Sequence, residues 1–131
     1  MTLYVGVFDG DTEIEGTVIG HYSDYGALLD KIKETLDPSI IQNLKSSTDC
    51  NEVWDKPMCE DMMFELMKIR ERFVVLNPVH HIGVFEHNEC HWRNAKNLNE
   101  CYLTVDGEPI IDVLLRYCSM VNGNGREVVF Q

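Results

Sequence analysis

Hydrophobic and polar positions along the first part of the chain follow a pattern typical of β-strands. Residues 2–8 form a β-rich run, and Asp9-Gly10-Asp11 supplies a turn directly after it. Residues 13–22 carry apolar side chains among glycines and acids, which is typical of a second, partly solvated strand. The pattern predicts a β-hairpin, and we expect its first strand to lie in the middle of a sheet.

Two amphipathic helices follow, because apolar residues now recur at spacings of three and four. The first is capped by Ser23 or Asp24 and ends at Asp37-Pro38. The second starts near Asp55, has a proline in its first turn and ends near Phe73. The residues expected to face the core are Tyr25, Leu28, Leu29, Ile32 and Leu36 in the first helix and Cys59, Met62, Met63, Leu66, Ile69 and Phe73 in the second.

The C-terminal half predicts further short strands and a third helix. Residues 79–85 and 101–105 are β-rich, whereas 86–100 carry no period that assigns them to an element. Asp106 is expected to cap the third helix, and 126–131 to form the last strand. The inner face of that helix carries Ile111, Leu114, Leu115, Cys118 and Val121.

The chain is expected to fold as one domain. Its 131 residues, 44% of them hydrophobic, match the size and composition of a single globular unit, and no repeat, linker or low-complexity tract divides them. We therefore predict an α+β domain spanning 1–131, with an antiparallel or mixed sheet of about five short strands and three main helices. The strand order is left open, because these elements admit several topologies.

The strongly negative net charge limits the classes of partner that the chain is expected to bind. Twenty-two acidic and 11 basic residues leave a formal charge of −11. Nucleic acids and anionic membranes would repel such a chain, so we expect no direct nucleic-acid or membrane contact and a basic protein as the partner. The chain shows neither a signal peptide nor a membrane span, and its five cysteines are scattered, so we expect a cytoplasmic protein with free thiols.

One segment collects residue types that bind metals. Four ligand-type residues lie within 15 positions, and the first and third have the spacing that places two imidazoles on one helical face: His87, Cys90, His91 and Cys101. A metal- or thiol-dependent enzyme or sensor is therefore an alternative. Against it, the segment has no Cys-x-x-Cys pair and lacks the glutamate position of the metalloprotease motif. Since no other catalytic or cofactor motif occurs, we expect no enzymatic activity, no metal and no cofactor.

Two predicted loops are rich in acids. The first loop carries Asp9, Asp11, Glu13 and Glu15, and the second carries Asp49, Glu52 and Asp55 around Trp54. The first is not an EF-hand, because isoleucine and glycine occupy its sixth and twelfth positions. Either both loops are solvated turns, or they form a negative surface for a cationic partner. The tryptophan either closes over the core or anchors an interface.

Three stretches together resemble a known family. They are residues 3–9 with Gly16 in the following strand, the Asp49-Cys50 loop with Trp54, and residues 104–111 leading into a helix. In that order they are similar to an immunity-protein family of bacterial polymorphic-toxin and contact-dependent growth inhibition systems. The resemblance implies a small non-enzymatic cytosolic protein that binds the C-terminal toxin domain of a cognate effector, often a nuclease, and blocks it. It carries over no catalytic residues.

The leading hypothesis is thus an immunity protein that neutralises a basic toxin domain by forming a stoichiometric complex. Its eight acidic-loop residues, including Trp54 as a possible anchor, are the predicted partner-binding positions. A cytosolic adaptor module remains a further alternative, and the sequence leaves the toxin's identity and the oligomeric state open.

Overall fold

A computed structural model describes residues 2–44, 52–79, 94–122 and 125–131. In these ranges the elements are, in order, β1 (Thr2–Asp9), β2 (Thr12–His21), α1 (Tyr22–Thr35), β3 (Val53–Trp54), α2 (Lys56–Phe73), a short 3₁₀ helix (Leu98–Cys101), α3 (Ile110–Met120) and β4 (Arg126–Phe130). The α+β class and the three main helices are confirmed. The described part of the chain contains four strands, one fewer than the five predicted.

The strands form one antiparallel sheet in the order β2-β1-β4-β3. β1 is hydrogen-bonded on both sides, which confirms its predicted place inside the sheet. The β1–β2 turn needs a left-handed residue, and Gly10 supplies it with a φ of 63°. Further along the hairpin Gly6 lies opposite Gly16.

The helices supply the apolar side chains that cover the inner face of the sheet. Leu3, Val5 and Val7 alternate along β1 and are almost completely buried. The Phe130 ring of β4 packs 4.8 Å from Trp54, measured between ring centroids. The inner faces predicted for α1 and α2 are buried as expected, except that Met63 is only partly covered.

Cys59 and Cys118 occupy the core, as predicted from their positions on the apolar faces of α2 and α3. The two thiols are hydrogen-bonded to each other. This bond and burial raise the pKa of the Cys118 thiol well above its usual range. Cys118 therefore packs as a small, protonated core side chain, and the buried Cys59 thiol beside it donates to the backbone carbonyl oxygen of Trp54 at 3.5 Å.

The starts of the first two helices differ in how closely they match expectation. Asp55 caps α2 as predicted, accepting a hydrogen bond from the Met58 backbone N–H at 3.1 Å. In α1 the prediction of Ser23 or Asp24 as the cap is wrong, because the cap is His21. The His21 Nδ1 atom accepts from the Ser23 N–H, while the Asp24 carboxylate accepts from the His21 N–H at 3.0 Å. The two side chains form a reciprocal capping box, in which the imidazole replaces the serine or threonine hydroxyl that usually accepts the backbone hydrogen bond.

Two predictions near the third helix are wrong. Asp106 does not cap it, because α3 begins four residues later, and the Asp106 carboxylate instead accepts from the Thr17 hydroxyl of β2 at 2.8 Å. Residues 101–105 are not a strand, since the chain turns back on itself at Gly107 (φ 85°) and makes only a single bridge to Pro109. Tertiary contact with β2 thus determines the conformation of this segment. The strand predicted over 79–85 lies, apart from its first residue, outside the described residues.

Candidate functional site

Asp55 of the second acidic loop lies at the same end of the sheet as the first acidic loop. The register places Asp9 of β1 opposite Arg126 of β4, at the end where the β1–β2 turn lies. On the other side of β4, the Trp54–Val128 pair brings the next residues, Asp55 and Glu127, side by side. Both line a surface cleft of about 440 Å³ that also contains Arg126. We define the acidic edge as Asp9, Asp11, Glu13, Asp55 and Glu127.

Three members of the acidic edge have structural partners. The Asp9 carboxylate lies 3.9 Å from the Arg126 guanidinium, and Asp55 caps α2. Glu13 accepts a hydrogen bond from the Tyr4 hydroxyl. This bond, with burial and the charge of Glu13, raises the pKa of Tyr4 to about 12. These acids therefore hold the fold in addition to lining the surface.

Asp11 and Glu127 have no such structural partner among the described residues. Both are exposed, and neither carboxylate makes a hydrogen bond or ion pair with any residue that the structure describes. An exposed carboxylate with no internal partner is free to pair with a lysine or arginine of another protein. These two are the acids of the edge best suited to a partner.

The remaining predicted residues lie elsewhere. Glu15 faces α3, where its carboxylate lies 3.5 Å from Arg116. Glu52 accepts a 3.0 Å hydrogen bond from the Trp54 indole N–H. Trp54 itself is fully buried, so it closes over the core, as one of the two interpretations held, and cannot serve as an exposed anchor. Asp49 lies outside the described residues.

The metal- or thiol-site alternative receives no support from the described residues. His87, Cys90 and His91 lie outside them. Cys101 is buried, its thiol points to the backbone carbonyl of Val79 at 3.6 Å, and burial raises its pKa. Within the described ranges no three histidine, cysteine or acidic side chains are grouped closely enough to hold a metal ion.

A second surface, which is apolar and exposed, was not predicted from the sequence. On the outer side of α2, Phe64 is 65% exposed and Met67 is 51% exposed. Their positions fall between those of the buried stripe, and that offset was the signal available in the sequence. Beside them the carboxylate of Glu65 is buried and accepts hydrogen bonds from the turn after α1.

These features describe a small, strongly acidic α+β domain with exposed carboxylates at one end of its sheet and exposed apolar side chains on α2. None of its described helices is long and apolar enough to cross a lipid bilayer. The motifs in the sequence resemble the class of immunity proteins of toxin systems.

The chain belongs to the Immunity protein 70 family (Imm70), whose family model matches residues 3–130. No curated protein and no solved structure matches the chain. The family match confirms the resemblance seen in the sequence and supports a toxin-neutralising role through binding of a cognate toxin protein.

Proposed function

We propose that this protein is a non-enzymatic immunity protein that neutralises a basic toxin domain, such as a nuclease, by forming a stoichiometric complex in the cytoplasm. The match to the immunity family over residues 3–130 carries the proposal. The charge of −11 supports the basic character of the partner, because a nuclease must attract phosphate and so presents a positive cleft. An effector of a polymorphic-toxin or contact-dependent inhibition system is the source we propose for that domain.

The acidic edge is the proposed electrostatic contact. It gathers carboxylates from the β1–β2 turn, the start of β4 and the start of α2, and two of them, Asp11 and Glu127, lack internal partners among the described residues. Clustered charges of one sign steer an oppositely charged partner and raise its association rate. Salt screens this attraction over a Debye length of about 8 Å at physiological ionic strength.

The function is tested with the polypeptide encoded directly beside this gene. Co-expression should yield a one-to-one complex that survives moderate salt, and cells producing the toxic polypeptide should regain growth when this protein is present. If neither the complex nor the rescue occurs, the proposed function is wrong. A complex that lacks rescue would likewise contradict neutralisation.

The contact surface is tested by charge reversal at the two unpartnered acids. The double substitution Asp11→Lys with Glu127→Lys should lower the association rate at low salt by roughly tenfold and leave the dissociation rate almost unchanged. Asp30→Lys on α1, also exposed, is the control for a local charge reversal. Equal association rates for the double variant and wild type would exclude the acidic edge.

Reversal of Glu13 or Glu15 is less informative, because both side chains stabilise the fold. Glu13 accepts a hydrogen bond from Tyr4, and Glu15 pairs with Arg116. A lysine at either position would disturb folding and binding together.

A further inference from the structure

A groove runs along the outer side of α2. Two adjacent cavities of about 410 and 530 Å³ lie between this helix and residues 35–43, and Ile40 and Lys68 line both. We define the α2 groove by Leu36, Ile40, Phe64, Lys68, Glu71 and Val75. Phe64, Lys68 and Glu71 recur at spacings of four and three, so they share one face of α2, and Val75 lies in the turn after the helix.

The far wall of the groove is held in place by a buried charge. The Glu65 carboxylate is only 5% exposed and accepts hydrogen bonds from the backbone N–H groups of Asn43 and Leu44, at 3.0 and 3.2 Å. The Asn43 side-chain amide donates a further bond of 2.7 Å. Bonds to a charged acceptor are stronger than neutral ones, so this turn is fixed before any partner arrives. A preformed wall lowers the entropy lost on binding.

Large apolar side chains are exposed to solvent along this face. Phe64 is 65% exposed and Val75 is 72% exposed. Among the described residues, Phe64 is the most exposed aromatic side chain. A large ring beside a cavity is typical of an interface anchor.

The charges around the groove favour a cationic partner. Asp61 lines the first cavity and Glu71 the second, and neither carboxylate has an ion pair or hydrogen bond to another described residue. The lining also carries Lys68 and Arg72, but its four acids leave a formal charge of −2. The Lys68 ammonium lies 4.7 Å from the centroid of the Phe64 ring, so this ring already binds a cation on one face. A partner's lysine or arginine can therefore contact either the carboxylates or the open face of the ring.

The position of the groove also agrees with the acidic edge. α2 starts at Asp55, a member of that edge, and Phe64 follows nine residues later, which is about 13 Å along the helix axis. A standard protein interface covers about 800 Å² on each partner, an extent larger than this separation along α2.

We propose that the α2 groove is the main anchoring site for the toxin domain, with Phe64 packed against an apolar toxin side chain and Asp61 and Glu71 paired with flanking toxin lysines or arginines. This inference rests on the proposed function and adds the surface that sets the lifetime of the complex. The acidic edge then governs how fast the complex forms, whereas the groove governs how slowly it dissociates.

The test compares dissociation rates of complexes formed by the full chain and the purified, catalytically inactivated toxin domain. Phe64→Ala should raise the dissociation rate by roughly 10- to 100-fold, because an anchor is lost. Phe64→Leu, which keeps an apolar side chain, should recover most of the lost lifetime. Val105→Ala is the matched control, since Val105 is a 39% exposed apolar side chain in the turn before α3. It should change the rate by less than about twofold.

The outcomes separate this inference from the proposed function. If wild type binds and rescues cells while Phe64→Ala behaves as wild type, the groove is not the anchor and the immunity function stands. If wild type neither binds nor rescues, both proposals fail. If the isolated chain dimerises and Phe64→Ala makes it monomeric, the groove joins two copies of this chain and the inference is overturned.

Discussion

The buried carboxylate of Glu65 accepts a 3.0 Å hydrogen bond from the backbone N–H of Asn43, 22 positions earlier in the chain. The bond ties the turn that follows α1 to the middle of α2. A buried carboxylate is costly unless it is well hydrogen-bonded, and here the donors are the backbone N–H groups of Asn43 and Leu44 and the Asn43 side-chain amide. Glu65 thus links the two helices through a polar contact at the margin of an apolar core.

Replacing this carboxylate should destabilise the protein. Glu65→Ala is expected to lower the free energy of unfolding by about 2–3 kcal/mol, because it removes charge-assisted bonds and leaves backbone donors unsatisfied. Urea denaturation measures the change. Glu60→Ala, an exposed acid on the same helix, should have an effect within about 0.5 kcal/mol. Similar losses in the two variants would show that the Glu65 contacts contribute no stability.

Two glycines should respond in opposite ways to the same substitution. At Gly16 an added Cβ would collide with the Tyr4 hydroxyl and the Glu13 carboxylate and lie 2.7 Å from the Tyr4 ring carbon Cζ. We expect Gly16→Ala to cost about 1–3 kcal/mol through overpacking. Gly26→Ala, inside α1 with no atom within 4 Å of the new Cβ, should stabilise by about 0.5–1 kcal/mol.

Thermal or urea unfolding of both variants provides the comparison. Adding Tyr4→Ala to Gly16→Ala should recover part of the loss, because the colliding ring is then absent. A Gly16→Ala variant as stable as wild type would mean that Tyr4 moves aside at little cost.

Trp54 should be important for folding and unimportant as a direct toxin contact. Trp54→Ala removes a fully buried ring that packs on Phe130, and we expect a loss of about 3–5 kcal/mol. The adjacent Val53 is 45% exposed, and Val53→Ala should change stability by less than about 1 kcal/mol.

The milder Trp54→Phe separates the two roles. This variant should fold and bind the toxin domain with an affinity close to that of wild type, as measured by calorimetry. A well-folded Trp54→Phe variant with strongly weakened binding would restore the tryptophan as a partner contact.

Alkaline pH should weaken the contact between Tyr4 and Glu13. The pKa of Tyr4 is raised from 10.0 to about 12 in the folded protein, so folding favours the protonated hydroxyl. Its contribution to stability is fully present below about pH 10 and is lost as the pH rises towards about 12. Tyr4→Phe lacks this titration, so wild type should lose stability relative to the variant over that range.

Urea denaturation of wild type and Tyr4→Phe at several pH values in that range gives the difference directly. Three other tyrosines, Tyr25, Tyr102 and Tyr117, also have raised pKa values and titrate in both proteins, so only the difference reports on Tyr4. A difference that is constant with pH would contradict the assigned hydrogen bond.

Local patterns in the sequence were sufficient to predict most elements. The hairpin, the three helices, the Asp55 cap and the last strand follow from periodicity and capping residues, which act over a few neighbouring positions. The family resemblance was also readable from short motifs, and the match over residues 3–130 confirms it. The core placement of Cys59 and Cys118 followed from the same periodicity.

Tertiary structure decided how distant residues are used. Asp106 carries a typical capping side chain, yet it bonds to Thr17, 89 positions away. Asp55 and the β1–β2 turn are far apart in the chain but lie at the same end of the sheet, because β1 and β3 both pair with β4. Sequence spacing contains no information about strand order. Trp54 had two plausible fates, and packing against Phe130 selected one.

The sequence by itself therefore determined the α+β class, the helices and the family, because these depend on local period and on short motifs. Only the tertiary structure separated carboxylates that hold the fold, such as Glu15 and Glu65, from those without a partner in the described part of the chain, such as Asp11 and Glu127. The physical reason is that a carboxylate pairs with the donors that lie within hydrogen-bonding distance of it, and those donors come from other parts of the chain.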